Sequence, residues 1–92
     1  MIQSFKSSET GDLFLGRRVK RWVNIEQVAM RKLAMLNRAA LLTDLKIPTQ
    51  NKLEALKRDR KGQHSIRIND QWRVCFVWTE KGAADVEIVD YH

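Results

Sequence analysis

The fold is decided by residues 64–78, which read HSIRINDQWRVCFVW. Apolar side chains alternate with polar ones on both sides of Asn69-Asp70, which is the pattern of two half-buried strands. Because Asn and Asp tolerate positive φ angles, we predict a hairpin that is closed by a two-residue turn. A second turn at residues 80–82 leads to another alternating run at residues 86–89, which we interpret as the next strand.

Helical patterns occupy the first half of the chain. The serine pair at residues 7–8 offers an N-cap for a short helix, which we expect to end at Gly16. The clearest helix covers residues 25–40, where apolar side chains recur at spacings of three and four, and Asn24 is its predicted N-cap. Residues 41–47 predict one further helical turn.

Two weaker patterns extend the predicted sheet, a short edge strand at residues 2–5 and a strand at residues 53–56. Helices that come first and strands that follow predict an α+β fold, in which the N-terminal strand and two helices pack on one face of a mainly antiparallel sheet. The length of 92 residues favours a single domain that covers residues 1–92.

The charge balance is strongly basic, with 17 Lys and Arg against 11 Asp and Glu and a net charge of +6. A small basic domain often binds a polyanion, because neutralised phosphates release counterions. The alternative is a basic surface that only maintains solubility. No apolar run is long enough to span a membrane, and the first seven residues lack a basic region followed by an apolar block, so we expect no signal peptide and a cytoplasmic protein.

Several kinds of site are poorly supported. The two histidines are far apart, and no His/Cys pair has the spacing of metal ligands. Cys75 lies in the middle of a predicted strand among large apolar residues, so we expect it to pack rather than react. No second recognition helix follows residues 25–40 after a short turn, which disfavours a helix-turn-helix protein. For Trp22, base stacking and a place in the core remain open.

The strand alternation places three polar side chains on the sheet face that is opposite the helices. These are Arg67, Arg73 and Tyr91. Two guanidinium groups and a phenol that converge on an open face would form a phosphate-binding surface, although exposed arginines on a sheet also serve solubility alone. The last three residues add an acid, a phenol and an imidazole, and histidine is the natural proton-transfer group near neutral pH.

Four motifs resemble the HigB toxins, which belong to the RelE superfamily of bacterial type II toxin–antitoxin systems. They are KLEALKRDRKG at residues 52–62, Ser65-Ile66, Trp72-Arg73 and the terminal Asp90-Tyr91-His92. The opening MIQSFK is similar as well, and residues 62–73 are especially close to the branch that includes the GraT toxin. The resemblance implies a microbial-ribonuclease-like fold and a ribosome-dependent endonuclease that cuts mRNA without a metal ion or organic cofactor.

The resemblance also implies the site residues. Those that match the family's functional pattern are Lys57, Arg73, Asp90, Tyr91 and His92. Arg73 and Lys57 would stabilise phosphate charge. His92 would transfer a proton, with Asp90 orienting it and Tyr91 contacting the scissile nucleotide. Glu54 stands where many HigB toxins have a histidine, and it would act as a base or pair with Lys57, three residues on.

Two basic stretches and one strand residue are predicted to bind ribosomal RNA phosphates. They contribute Arg17, Arg18, Lys20, Arg21, Arg58, Arg60, Lys61 and Arg67. The partners that the resemblance implies are a HigA-type helix-turn-helix antitoxin, the 70S ribosome with its mRNA, and operator DNA through the antitoxin only. The alternatives are a catalytically weak toxin that inhibits growth by occupying the ribosome, and a non-enzymatic nucleic-acid-binding regulator.

Overall fold

The computed structural model describes residues 1–91, whereas His92 lies outside the described residues. Within this range, two helices precede a sheet of four antiparallel strands in the order β1-β2-β3-β4. The elements are α1 (Ser8–Phe14), α2 (Glu26–Arg38), β1 (Glu54–Ala55), β2 (His64–Arg67), β3 (Trp72–Thr79) and β4 (Gly82–Asp90). The predicted α+β class, with two helices and an antiparallel sheet, is confirmed.

The two helices begin differently. At α1, Ser7 is the N-cap, as predicted, and its Oγ accepts a hydrogen bond of 3.2 Å from the Thr10 N–H. At α2, the predicted cap by Asn24 is wrong, because a 3-10 turn over Lys20–Ile25 runs directly into the helix. The 3-10 turn leads the chain into α2 through Ile25, and no side chain caps the start of the helix.

The N-terminal segment forms less strand than predicted. Phe5 makes an isolated parallel bridge to Val86 of β4, supported by a hydrogen bond of 2.7 Å from the Gln3 N–H to the Ala83 carbonyl. The segment contacts the edge of the sheet as expected. It does not extend into a regular strand, because the chain turns into α1 from Ser7 onwards.

The two hairpin turns also differ from each other. Thr79 and Gly82 pair across a two-residue turn at residues 80–81, close to the predicted position. The predicted two-residue turn at Asn69-Asp70 is wrong, because β2 and β3 pair through Arg67 and Arg73, which leaves a longer connection. Asn69 Oδ1 accepts from the N–H groups of residues 71 and 72 at 2.9 and 2.8 Å, so a side chain closes the turn.

The core lies between the helices and one face of the sheet. Its largest fully buried side chains include Trp22, Phe76, Leu13 and Leu33. Each such side chain stabilises the fold by about 1.5–3 kcal/mol relative to exposure. Trp22 packs edge-on against Trp72 at 6.1 Å between ring centroids, so Trp22 belongs to the core. No helix within residues 1–91 is long and apolar enough to cross a membrane.

Candidate active site

A row of four side chains crosses the sheet on the face that is opposite the helices. The register pairs Glu54 of β1 with Ser65 of β2, Ser65 with Cys75 of β3, and Cys75 with Glu87 of β4. Directly paired residues share a face, so the four side chains lie side by side. Cys75 is fully buried within this row, and burial raises the pKa of its thiol, as expected for a packed rather than a reactive cysteine.

Arg73 is the anchored cation of this face. It is only 8% exposed, and its Nε donates a hydrogen bond of 2.8 Å to Ser65 Oγ. Its Nη2 donates a second bond of 2.7 Å to the carbonyl oxygen of Lys52, which adopts a left-handed conformation with φ 46°. Two fixed acceptors hold the planar guanidinium in one orientation.

Glu54 and Tyr91 converge on this guanidinium. Glu54 Oε1 lies 3.7 Å from Arg73 Nη2 and accepts a hydrogen bond of 3.1 Å from the Tyr91 hydroxyl. The Tyr91 ring lies against the same group, with Arg73 Cζ 5.1 Å from the ring centroid. The structure therefore brings together three of the six predicted catalytic residues.

The electrostatics of this cluster favour a neutral phenol. The pKa of Tyr91 is raised above its ordinary value, first by the hydrogen bond to Glu54 and then by the charge of the same carboxylate. Arg73 opposes this shift, because a nearby cation favours the phenolate. Tyr91 therefore remains a hydrogen-bond donor to higher pH than an isolated tyrosine.

The predicted pairing of Glu54 with Lys57 is wrong. Residues three apart in an extended chain point to opposite faces, so the two side chains diverge. Glu54 instead pairs with Arg73, while Lys57 is exposed at the start of the 3-10 turn over Arg58–Arg60. The structure therefore does not place Lys57 in the cluster of Glu54, Arg73 and Tyr91.

Asp90 and Arg67 each contact a residue outside the cluster of Glu54, Arg73 and Tyr91. Asp90 Oδ2 accepts a hydrogen bond of 3.0 Å from Gln71 Nε2 in the turn between β2 and β3. Arg67 is paired with Arg73 along the backbone, but its guanidinium forms an ion pair with Asp70. The predicted convergence therefore holds for Arg73 and Tyr91, whereas Arg67 lies beside Arg73 in the register but pairs with Asp70 and not with Glu54 or Tyr91. The prediction for His92 lies outside the described residues.

The predicted RNA-binding cations divide into two groups. Five form ion pairs with acidic side chains: Arg17 with Asp12, Arg18 with Glu26, Arg21 with Glu9, Arg60 with Glu87, and Arg67 with Asp70. The others, Lys20, Arg58 and Lys61, are exposed and form no ion pair within residues 1–91. Surface ion pairs are weak, so the paired residues can still bind phosphate once their ion pair is broken. The second group binds phosphate without losing an ion pair.

Sequence reasoning missed the two groups that hold Arg73. Ser65 carried a usable signal, because it alternates with buried apolar residues and so falls on the same face as Arg73. The Lys52 carbonyl gave no sequence signal, because every residue has a backbone carbonyl. Only the folded chain brings this carbonyl to the guanidinium.

Comparison with known proteins agrees with this architecture. Residues 14–92 match the family described as the RelE-like toxin of the type II toxin–antitoxin system HigB. Toxin HigB-1 of Vibrio cholerae serotype O1 is 41% identical over 69 residues, which cover 75% of this chain and 72% of that protein.

The fold also matches the crystal structure of YafQ from E. coli strain BL21(DE3). The TM-score is 0.64 at 16% sequence identity, and the alignment covers 98% of this chain and 91% of that one. The likeness shows a shared fold, while the closer relation to the GraT-containing branch stays a prediction. Together with the match over residues 14–92, the identity to a HigB toxin shows that this chain belongs to the HigB-like family of RelE-like toxins of type II toxin–antitoxin systems.

Proposed function

We propose that this toxin is a ribosome-dependent endoribonuclease that cuts mRNA in the decoding site without a metal ion or cofactor and so inhibits translation in the cytoplasm. The observation that carries the proposal is the cluster in which Arg73, Glu54 and Tyr91 meet on the open sheet face. It combines a fixed cation, a carboxylate and a phenol, which are groups that phosphodiester cleavage can use.

The proposed reaction is attack of the RNA 2′-hydroxyl oxygen on the adjacent phosphorus. The bond from phosphorus to the 5′ oxygen breaks, which leaves a 2′,3′-cyclic phosphate and a 5′-hydroxyl. The attacking oxygen loses a proton and the leaving oxygen gains one, so the reaction is balanced by one proton acceptor and one donor. Negative charge builds on the phosphate oxygens in the transition state and requires a positioned cation.

Arg73 is suited to that role. Ser65 and the Lys52 carbonyl hold one edge of the guanidinium, which leaves the remaining N–H donors for a phosphate oxygen. The 3.7 Å separation between Glu54 Oε1 and Arg73 Nη2 is longer than a hydrogen bond, so an incoming phosphate breaks no direct hydrogen bond between these two groups when it contacts Arg73. A donor that is already oriented needs no reorganisation when the charge develops.

The other roles follow the family resemblance. Glu54, once displaced from Arg73, accepts the proton of the 2′-hydroxyl, and His92 donates a proton to the 5′ oxygen. Tyr91 packs against the nucleotide at the scissile bond. Asp90 orients His92, and Lys57 supplies a second cation from its exposed position.

The proposed partners are the 70S ribosome with its mRNA and a HigA-type helix-turn-helix antitoxin, which alone contacts operator DNA. On the toxin, the basic residues named above contact ribosomal RNA phosphates, with Lys20, Arg58 and Lys61 as the most available. Such contacts position the toxin and carry no sequence information.

The test is to map mRNA 5′ ends after a short pulse of toxin expression. We expect new 5′-hydroxyl ends within open reading frames, with Arg73→Ala abolishing them and Lys81→Ala, in the turn between β3 and β4, leaving them unchanged. Growth arrest without new ends would favour the catalytically weak ribosome-binding toxin. A chain that neither arrests growth nor cuts mRNA would favour the nucleic-acid-binding regulator.

A further inference from the structure

A groove of about 410 Å³ lies beside α2, and Glu54, Arg73 and Tyr91 are not among the residues that line it. Arg31 and Lys32 of α2 line it together with Arg67 of β2, and its apolar surface includes Val28 and Met35. Within residues 1–91, the lining contains three cationic side chains and no acidic one. The groove therefore combines positive charge with apolar surface.

Lys32 is held in place within this groove. Its Nζ donates a hydrogen bond of 2.6 Å to Asn51 Oδ1. Asn51 is fully buried, and its Nδ2 donates in turn to the Leu45 carbonyl at 3.0 Å. The ammonium thus has one fixed bond and two further N–H donors for a ligand. Burial lowers the pKa of Lys32, and the charges of Arg31 and Arg67 lower it further, as expected where cations are crowded.

Arg67 also contributes to this crowding. Its described partner Asp70 is nearly fully exposed, with 98% of its side chain accessible, so that carboxylate does not fill the groove. An acidic ligand would neutralise several of these charges at once, and the partial burial of Lys32 would strengthen the attraction by reducing its contact with water.

The apolar part of the lining favours a protein ligand over a nucleic acid. Pro48 adds to the apolar surface, and Ile47, which precedes it in the chain, is 77% exposed. Among residues 1–91, no aromatic side chain lines the groove, whereas proteins that bind single-stranded nucleic acid commonly stack bases on aromatic rings. Aliphatic surface beside cations instead matches a segment in which carboxylates flank aliphatic side chains.

A type II toxin acts with a cognate antitoxin, and the net charge of +6 favours an acidic partner. We propose that the groove lined by Arg31, Lys32 and Arg67 docks a segment of the antitoxin that carries Asp or Glu beside aliphatic residues. This inference rests on the partner in the proposed function but does not depend on the cleavage reaction.

The sharpest variant is Gln50→Glu. Gln50 is exposed and lines the groove, and the substitution keeps its size while adding a carboxylate among the three cations. The new charge competes with an acidic ligand and leaves the core untouched, so the variant is expected to fold. Arg31→Glu tests the same surface by removing a cation, and Lys81→Glu, in the turn between β3 and β4, is the control for Arg31→Glu because it makes the same charge change elsewhere.

The experiment measures the Kd of each full-length toxin variant for the purified full-length antitoxin encoded with it. We expect Gln50→Glu and Arg31→Glu each to weaken binding about tenfold, and Lys81→Glu to bind as the wild type does. Ribosome-dependent mRNA cleavage is measured on the same three proteins and is expected to be unchanged.

Unchanged Kd values for both groove variants would overturn the docking proposal. So would loss of cleavage in those variants with intact antitoxin binding, because the groove would then belong to the RNA-binding surface. If even the wild type cuts no mRNA, the proposed nuclease function fails, and the Kd comparison still decides whether the groove docks the antitoxin.

Discussion

The Tyr91 hydroxyl donates a hydrogen bond of 3.1 Å to Glu54 Oε1, and so ties the C-terminal end of β4 to the edge strand β1 across 37 residues of sequence. Terminal residues fray unless something holds them. Here the phenol is held from two sides, by Glu54 through its hydroxyl and by Arg73 against its ring. The contact therefore holds Tyr91 beside the edge strand β1.

The titration of Tyr91 tests this contact directly, because the chain contains one tyrosine. We expect its phenolate absorbance to appear at higher pH than for a free tyrosine, since Glu54 raises the pKa of the phenol. Glu54→Gln should shift the titration to lower pH, whereas Lys81→Gln should not. A folded Glu54→Gln protein with an unshifted titration would contradict the contact.

The raised pKa of Tyr91 also makes the free energy of unfolding depend on pH. The folded-state pKa lies above the unfolded one, so the contact stabilises the fold below the ordinary phenol pKa. That contribution is lost as pH rises through the folded-state value. Tyr91→Phe should therefore remove this alkaline pH dependence of the free energy of unfolding, which urea denaturation at several pH values would measure.

Arg73→Ala should affect both activity and stability. Loss of a positioned cation at the phosphate should raise the cleavage barrier by about 3–4 kcal/mol. The fold should lose about 1–3 kcal/mol, because Ser65 Oγ and the Lys52 carbonyl are left without their donor. Single-turnover cleavage on ribosomes and urea denaturation measure the two effects, and a folded Arg73→Ala protein with wild-type cleavage would rule out the catalytic role.

Ser65→Ala tests whether Ser65 acts as a positioning residue for Arg73. Removal of the hydroxyl frees Nε and allows the guanidinium to shift, which should lower kcat about tenfold with KM nearly unchanged. Ser8→Ala, at an exposed position in α1, is the matched control. A change confined to KM, or no change in a folded protein, would show that Ser65 does not orient the reacting cation.

Basic residues without an ion pair should contribute more to ribosome binding than basic residues with one. All six side chains are exposed, but Arg17, Arg18 and Arg21 form the paired set, and Lys20, Arg58 and Lys61, termed the exposed set, form no ion pair within residues 1–91. Substitution of the exposed set by Gln should weaken binding more and reduce the salt slope by about 2, at ~0.7 per single-strand phosphate. Equal losses for the two triple variants would mean that the ion pairs do not limit phosphate contact.

Local sequence signals predicted most of the elements. The alternation in residues 72–78 placed β3, and the Ser7 cap placed the start of α1, because both signals depend on neighbours within one turn or strand. The errors at Asn24 and Asn69 have a common cause. Each residue has several local conformations of similar free energy, and the flanking structure selects among them. For Asn24 that structure is the 3-10 turn before α2, and for Asn69 it is the register of β2 on β3.

The sequence by itself determined that the second half forms a sheet with two chemically distinct faces, and that Arg73 and Tyr91 lie on the polar face. Strand periodicity is a property of consecutive residues, so no long-range information was needed. Only the tertiary structure decided that Glu54 reaches Arg73 and Tyr91, and that Ser65 and the Lys52 carbonyl hold Arg73. These contacts join separate segments, and their geometry depends on strand register and on the path of the chain before β1, which are set when the whole chain packs.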